Sequence, residues 1–369
     1  MKDEAHSAPG AHTELGALRA RIDGIDDAIL KLVSERAGIA QQVGRAKQGE
    51  RIYRPEREAQ IVRRLREANP GPLSGDTIER LIREIMSACR AVEETTRIAY
   101  LGPAGTFSQQ AVQKHFGHEA EALAEADIDA CFQAVETGRA DFAVVPVENS
   151  TEGAIGRTLD LIVASPLKIC GEVMLPIHQT LMRKKGGLDG AGLDGIARVY
   201  GHAQSLAQCQ QWLSRHLPDA ERVSVVSNSE GARRAAAEPD AATLGSETAA
   251  DLYGLDVVES RVEDEASNTT RFLVLGQSDA APSGRDKTSL VMSTKNEPGA
   301  VVKLLQPLAD AGISMSRLES RPARSGNWEY LFFVVCQGHR QDANLAGALA
   351  EIEARAAFLK ILGSYPAAS

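Results

Sequence analysis

The chain has 369 residues, 43% of them hydrophobic and 25% charged, so it is long enough to bury the cores of two or three domains. Its formal net charge of -9 argues against nucleic acid as the main partner, because phosphate binding needs a basic face. The sequence lacks a run of about 18 apolar residues, which disfavours a membrane span.

The polar segment 1–12 and the spacing of the cysteines bear on the cellular compartment. The segment lacks the apolar core of a signal peptide, so we expect a loose tail rather than an export signal. The five cysteines lie far apart and form no CxxC pair, which predicts neither a disulfide framework nor a zinc site. We therefore expect a cytoplasmic protein with reduced cysteines.

A long amphipathic helix opens the chain. Apolar residues recur three and four positions apart from Leu18 to Val43. Arg36 and Lys47 fall within about 20° of the same stripe. A single cation on such a stripe usually keeps its charged head in water, but two aligned cations suggest an anion cavity inside a helical bundle. A break near 48–55 precedes two further predicted helices, 56–68 and 76–94, joined by an Asn-Pro-Gly-Pro turn.

From Arg97 onward, predicted strands and helices alternate, as in a parallel α/β sheet. Two extended segments, 168–183 and 268–275, connect two such units and predict two lobes with a cleft between them. Polar residues follow predicted strands at 102–108 and 148–151, the kind of position where α/β sheets bind small ligands, and the run 268–272 opens a third strand. The alternative is an ordinary strand-to-helix turn capped by Ser150 or Thr151.

After a linker at 279–285, the pattern becomes strand, helix, strand, strand, helix, strand. The predicted strands are 288–294, 313–320, 328–336 and 358–364, and the predicted helices are 299–310 and 342–354. This order predicts a small α+β domain.

The helical part resembles the all-helical chorismate mutases in its LRxxID run at 18–23, Glu35-Arg36, the run 43–47 and Arg57-Glu58. The resemblance implies an intertwined homodimer in which the long helix spans both subunits. It also implies a set of substrate ligands: Arg36, Arg57 and Lys47 for the carboxylates and ether oxygen, Arg19 from the partner chain, and Glu58 for a hydroxyl. Glu93 stands where many members have a glutamine, and it donates a hydrogen bond only while protonated.

The three polar segments of the middle part together resemble prephenate dehydratases, whose fold is that of two-lobed periplasmic solute-binding proteins. The resemblance implies Thr270 as the principal catalytic residue, a hydrogen-bond donor to the departing hydroxyl, aided by Asn149 and Ser150. It implies substrate contacts from Thr106, Ser108, Glu148 and Arg271. The run 200–204 is similar to an SHPQ motif of that family but has glycine and alanine substituted, so His202 is interpreted as a helix N-terminal residue without a chemical role.

The last part resembles an ACT regulatory domain, and the runs 296–301 and 319–322 resemble its phenylalanine-binding form. The implied phenylalanine-binding residues are Gly299, Ala300, Val301, Glu319, Ser320, Arg321 and Pro322. The alternative is a domain that only dimerises.

The sequence thus predicts a multidomain fold: an all-α domain over 15–96, a two-lobed α/β domain over 97–277 and a βαββαβ domain over 287–365. The implied function is conversion of chorismate to prephenate and of prephenate to phenylpyruvate, with feedback inhibition by phenylalanine. We expect a homodimer or higher homo-oligomer without cofactor or metal. Two alternatives are a dehydratase whose helices only clamp a dimer and an amino-acid-responsive regulator. The second is disfavoured because a basic recognition helix is absent.

Overall fold

The computed structural model describes residues 9–46, 53–186, 192–295, 297–322 and 330–368, with side chains from Glu14 onward. Three helices come first: α1 (Pro9–Ala46), α2 (Pro55–Glu67) and α3 (Gly75–Ala91). Because α1 begins at Pro9, the expected loose tail over 1–12 is wrong for its last four residues. Ser74 caps α3 by accepting a hydrogen bond from the Thr77 amide at 3.1 Å.

The apolar stripe of α1 is exposed along most of the helix, contrary to the expected buried face. Leu18, Ile22, Ile25, Ile29 and Leu32 are each more than half exposed. Only the C-terminal part of α1, where Arg36 and Ala40 are half-buried, packs against α3. A single subunit therefore leaves this stripe without a covering surface.

The middle region folds into two lobes. The first begins with β1 (Arg97–Leu101), α4 (Phe107–Phe116), β2 (Glu121–Glu125), α5 (Ile128–Glu136), β3 (Phe142–Asn149), β4 (Gly153–Ala154), α6 (Gly156–Ala164) and β5 (Lys168–Pro176). The second contains β6 (Thr180–Lys184), β7 (Arg198–His202), α7 (Ala203–Gln208), α8 (Gln210–His216), β8 (Glu221–Val225), α9 (Asn228–Ala237), β9 (Ala241–Gly245), α10 (Thr248–Tyr253) and β10 (Leu255–Ser260).

Strand β11 (Thr269–Gly276) returns the chain to the first lobe, where it lies antiparallel between β3 and β5. The first sheet has the order β2-β1-β3-β11-β5, with β4 on β3, and the second has the order β10-β6-β9-β7-β8. The chain crosses between the sheets after β5 and again before β11. The two-lobed prediction is therefore confirmed.

The third sheet belongs to the C-terminal domain, with β12 (Asp286–Ser293), α11 (Ala300–Asp310), β13 (Met315–Pro322), β14 (Tyr330–Gln337), α12 (Ala343–Arg355) and β15 (Phe358–Pro366). Its strand order is β13-β14-β12-β15, which confirms the βαββαβ prediction. Val291, Phe333 and Leu362 of this domain share one hydrophobic core with Val145 and Leu273 of the first lobe. The two domains are thus packed through continuous apolar surface.

Among the described residues, no helix is both long and apolar enough to span a bilayer.

Candidate active site

A cavity of about 280 Å³ lies between the two lobes. The first lobe contributes strand ends and the glycine-rich turn before α4, and the second contributes the starts of α7 and α9. Its polar lining residues are Thr106, Ser108, Asn149, Gln179, His202, Gln204, Ser205, Gln208, Ser227, Asn228, Ser246, Asn268 and Thr270. The structure therefore brings Thr106, Ser108, Asn149 and Thr270 together, as the sequence predicted.

Thr270 and Asn149 face each other across β11 and β3. The Asn149 side-chain amide donates to Thr270 Oγ1 at 2.9 Å and to Asn268 Oδ1 at 2.8 Å. Asn149 Oδ1 accepts from the amides of Thr151 and Glu152 at 3.0 and 3.2 Å, which fixes the orientation of the carboxamide. Because Thr270 Oγ1 already accepts a hydrogen, the hydroxyl can donate its own hydrogen to a group in the cavity.

Two buried polar atoms at this cavity, Asn268 Nδ2 and Gln179 Oε1, lack a hydrogen-bond partner in the part of the chain that the structure describes. An unpaired buried donor or acceptor costs about 1–3 kcal/mol. A polar ligand that satisfied them would recover part of that cost. Asn268 is the first residue of the run 268–272, but the sequence analysis assigned it no role. Gln179 belongs to none of the sequence motifs.

Ser150, Glu148 and Arg271 lie outside the cavity lining, contrary to the expected substrate contacts. Adjacent residues of an extended chain point to opposite faces, so the neighbours of Asn149 and Thr270 face away from the cleft. Ser150 Oγ accepts from the Thr269 amide at 2.9 Å. Glu148 instead pairs with Arg317 at 2.5 Å, and Arg271 with Glu172 at 2.9 Å.

The glycine-rich turn before α4 is held from both lobes. Gly105 has φ of 82°, a conformation that favours glycine, and its amide donates to Gln109 Oε1 at 2.6 Å. Ser246 of the second lobe donates to the Gly105 carbonyl at 2.8 Å. His202 caps α7 by accepting from the Gln204 amide at 3.3 Å, so its predicted place at a helix N-terminus is confirmed.

The candidate chorismate site lies on the helices. Arg36 and Glu93 are half-buried, whereas Arg19 and Arg57 are exposed, and Lys47 lies outside the described residues. Glu93 packs on α1 at Gly44, where an added Cβ would be 2.8 Å from Glu93 Oε2.

Glu58 does not face α1, contrary to its expected role. Its carboxylate forms a buried ion pair with Arg90, whose Nη2 also donates to the Phe116 carbonyl at 2.6 Å. Glu58 also lines a separate cavity of about 260 Å³ between α2 and the residues 366–368 at the end of β15. Glu58 therefore lies on the face of α2 that packs against α3, where Arg90 binds its carboxylate.

The two predicted phenylalanine motifs lie at the start of α11 and on β13. Gly299 caps α11 with φ of 75°, next to half-buried Ala300 and Val301. Glu319 pairs with Arg317, and Arg321 donates to the Gly156 carbonyl at 2.8 Å. Ser320 and Pro322 are exposed. Within the described ranges, no group of three or more histidine, cysteine or acidic side chains is arranged to hold a metal.

Comparison with known proteins decides the family. Three family models match: chorismate mutase type II over 18–94, prephenate dehydratase over 98–280 and the ACT domain over 288–354. The bifunctional chorismate mutase/prephenate dehydratase of Neisseria gonorrhoeae is 53% identical over 352 residues, which cover 95% of this chain and 96% of that protein. The chain belongs to this bifunctional family. The corresponding protein of Stutzerimonas stutzeri is 48% identical over 96% of this chain and 98% of its own length.

Solved structures cover the dehydratase and ACT parts. The prephenate dehydratase of Arthrobacter aurescens in complex with L-Phe is 32% identical, with a TM-score of 0.66 over 74% of this chain and 90% of that one. A structure described as "GqqA- a novel type of quorum quenching acylases" is 28% identical, with a TM-score of 0.67 over 74% and 98%. Because one fold hosts several chemistries, the activity follows from the full-length bifunctional relatives rather than from the fold.

These comparisons confirm the predicted family, the three-part fold class and the pairing of mutase with dehydratase activity. The roles of individual residues stay predictions.

Proposed function

We propose that the interlobe cleft converts prephenate to phenylpyruvate with Thr270 as hydrogen-bond donor to the leaving hydroxyl. Loss of carbon dioxide supplies the electron pair that expels hydroxide and completes the aromatic ring, and aromatisation drives the step. A threonine hydroxyl is too weak an acid to transfer a proton early, so it acts by position. The observation that carries this role is the Asn149 amide bonded to Thr270 Oγ1 at 2.9 Å at the cavity lining, which fills one acceptor site and leaves the hydroxyl hydrogen available to a ligand.

Thr106, Ser108 and Asn268 line the same cavity and supply donors for the substrate's two carboxylates. The reversed orientation of Ser150, Glu148 and Arg271 gives them supporting roles instead. We place the domain limits at 15–96, 97–277 and 287–365, and the matched family ranges support these limits.

The helical domain rearranges chorismate to prephenate. We assign its ligands to Arg36, Lys47, Arg57 and Glu93 of one chain and Arg19 of the partner subunit. A Claisen rearrangement is unimolecular, so the site needs only to hold the compact conformer and stabilise charge on the ether oxygen. Half-buried Arg36 beside the α1–α3 contact suits that task.

A second copy of the chain covers the exposed stripe of α1. Large exposed apolar patches of this kind mark interaction surfaces. An intertwined dimer would bury the stripe and bring Arg19, near its start, to the partner's site. The five buried free cysteines support the cytoplasmic location.

The experiment for both activities is turnover of chorismate by the purified chain, with phenylpyruvate followed after a quench without acid. Formation of prephenate and then phenylpyruvate supports the assignment. Turnover of added prephenate without turnover of chorismate would indicate that the helical domain serves only for dimerisation.

Site sharing is tested by co-expressing Arg19→Ala and Arg36→Ala chains with different tags and isolating the mixed dimer. If each site combines two chains, one of the two sites is wild type, and about half of the mutase activity returns although both parent homodimers are inactive. A site built within one subunit would leave the mixed dimer as inactive as its parents.

A further inference from the structure

The reverse face of the strand pair that carries Thr270 and Asn149 is bound by the ACT domain. Arg271 and Glu148 lie opposite each other in register, each one residue from a cleft residue. Both side chains point away from the cleft, and both bind ACT side chains. The ACT domain therefore contacts the strands that carry Thr270 and Asn149 on the face opposite the cleft.

Arg271 is the first of these attachments. Its Nε donates to Glu172 at 2.9 Å, and its Nη2 donates to the Tyr365 hydroxyl at 2.9 Å. Tyr365 OH also lies 2.7 Å from Ser289 Oγ, and the Glu172 carboxylate accepts from Lys287 Nζ at 2.6 Å and from the Ala368 amide at 3.0 Å. The side chain of Glu172 is completely buried.

The charge balance of this network depends on the ACT domain. Burial alone would raise the pKa of Glu172, but the charges of Arg271 and Lys287 outweigh it and hold that pKa below its ordinary value. One of these two cations comes from β12. Glu172 therefore stays ionised and remains paired with Arg271 while the ACT domain is docked.

Glu148 is the second attachment. Arg317 of β13 binds the Glu148 carboxylate at 2.5 Å and also binds Glu319. Arg317 and Arg271 line the same small cavity between the domains, together with Ser289. The two attachments therefore meet at one place, directly behind Asn149 and Thr270.

We propose that Tyr365 and Arg317 are positioning residues of the dehydratase site, acting through Arg271 and Glu148 on the placement of Thr270 and Asn149. The inference rests on the proposed role of Thr270. Neither side chain touches the cleft, so each affects the chemical step and leaves the substrate contacts in place. A misplacement of a catalytic group by about 1 Å can cost up to about a hundredfold in rate.

The test compares Tyr365→Phe and Arg317→Met with the wild-type chain at full length. We expect dehydratase kcat to fall about 5–50-fold while KM for prephenate changes less than about twofold. Mutase activity should persist, since it reports that the chain is folded. Arg317→Lys retains the charge and should recover part of the lost kcat, and Tyr330→Phe, on an exposed tyrosine of the same domain, should match the wild type.

The outcomes separate the inference from the proposed function. If the wild type fails to convert prephenate, the dehydratase proposal itself fails. If the wild type is active and both variants keep kcat within about twofold of it, the positioning role is refuted. A rise in KM at constant kcat would also refute it, because it would indicate substrate binding. Should Arg317→Met fail to fold, Tyr365→Phe decides alone, and a kcat within about twofold of the wild type refutes the positioning role.

Discussion

At the scale of single residues, the orientation of Thr270 depends on an asparagine whose own orientation is fixed by a turn. Asn149 uses its oxygen to bind the amides of Thr151 and Glu152, so its nitrogen must point at Thr270 and Asn268. The carboxamide has a distinct donor and acceptor end, and only this arrangement satisfies both. The hydroxyl of Thr270 is thereby preset as a donor before substrate arrives.

The first prediction is that Thr270→Ala lowers dehydratase kcat by roughly 10² or more, because the preset donor is lost. Thr270→Ser keeps the hydroxyl and should retain most of the activity. Steady-state assays with prephenate measure the dehydratase, and chorismate consumption reports the mutase, which should be unchanged in both variants. An alanine variant with near-normal kcat would remove Thr270 from the mechanism.

The residues of the cleft were only partly predictable from sequence. The resemblance to prephenate dehydratases named Thr106, Ser108, Asn149 and Thr270, and the structure places all four at the cavity. The resemblance also named Ser150, Glu148 and Arg271, which lie outside the cavity lining because neighbouring residues of an extended chain point to opposite faces. Gln179 was missed because it lies in the connection between β5 and β6, where the chain crosses between the lobes, and no local motif marks that position.

At the scale of elements, Gly44 of α1 packs against Glu93, two residues beyond the end of α3. An added Cβ there would lie 2.8 Å from Glu93 Oε2, so the glycine makes room for the glutamate. The obstructing atom is the tip of a flexible side chain. A larger residue would therefore move Glu93 rather than separate the helices.

The second prediction is that Gly44→Ala reduces mutase kcat/KM about tenfold or more by displacing Glu93, while the dehydratase is unaffected. Alanine favours a helix over glycine by about 1 kcal/mol, so thermal stability should not fall. Gly38→Ala on the same helix, where an added Cβ meets no atom within 4 Å, is the matched control. Unchanged mutase activity in Gly44→Ala would indicate that Glu93 does not act on the substrate.

Several elements could not be read from sequence because tertiary contacts decide them. Strand β2 consists of two glutamates, two alanines and a leucine, which all favour helix locally, and it forms because it pairs with β1 at the sheet edge. The helical segment over 203–216 is divided at Cys209 into α7 and α8. Helix α10 and strand β10 were not predicted. The long helix α1 was predicted correctly in type, but most of its apolar stripe is exposed in the single chain.

At the scale of the whole molecule, the helical domain docks on the dehydratase through a buried tyrosine–histidine pair. The Tyr53 hydroxyl lies 2.6 Å from His115 Nε2, and the tyrosine ring packs on Phe116 and Phe142 at 4.9 and 5.0 Å. Burial, reinforced by Arg83 and Arg90, holds the pKa of His115 well below its ordinary value. Burial also raises the pKa of Tyr53, so the neutral tyrosine donates to a neutral histidine.

The third prediction is that this docking weakens as pH falls below about 6.5, the ordinary pKa of histidine. Below that pH the undocked chain binds a proton that the docked chain excludes, so stability decreases toward acid, by up to about 1.4 kcal/mol per pH unit. Hydrogen exchange of the α2 and α3 amides, corrected for intrinsic rates, measures the effect. His115→Gln should flatten the decline, and His118→Gln, at an exposed histidine nearby, should not. An equal decline in His115→Gln would assign the acid sensitivity to other groups.

The fourth prediction concerns phenylalanine, whose proposed motifs at 299–301 and 319–322 lie outside the cleft. A ligand there inhibits only by preferring one arrangement of the molecule, so prephenate must weaken phenylalanine binding by the same factor. Thr270→Ala binds prephenate with little turnover, so calorimetric titration of this variant measures the affinity for each ligand in the absence and presence of the other. If the two affinities change by different factors, simple linkage is ruled out. Gly299→Ala should relieve inhibition and keep basal turnover, whereas Gly312→Ala imposes the same left-handed strain at the other end of α11 and should stay inhibited. If Gly299→Ala remains as sensitive as Gly312→Ala, the domain is better described as a dimerisation element.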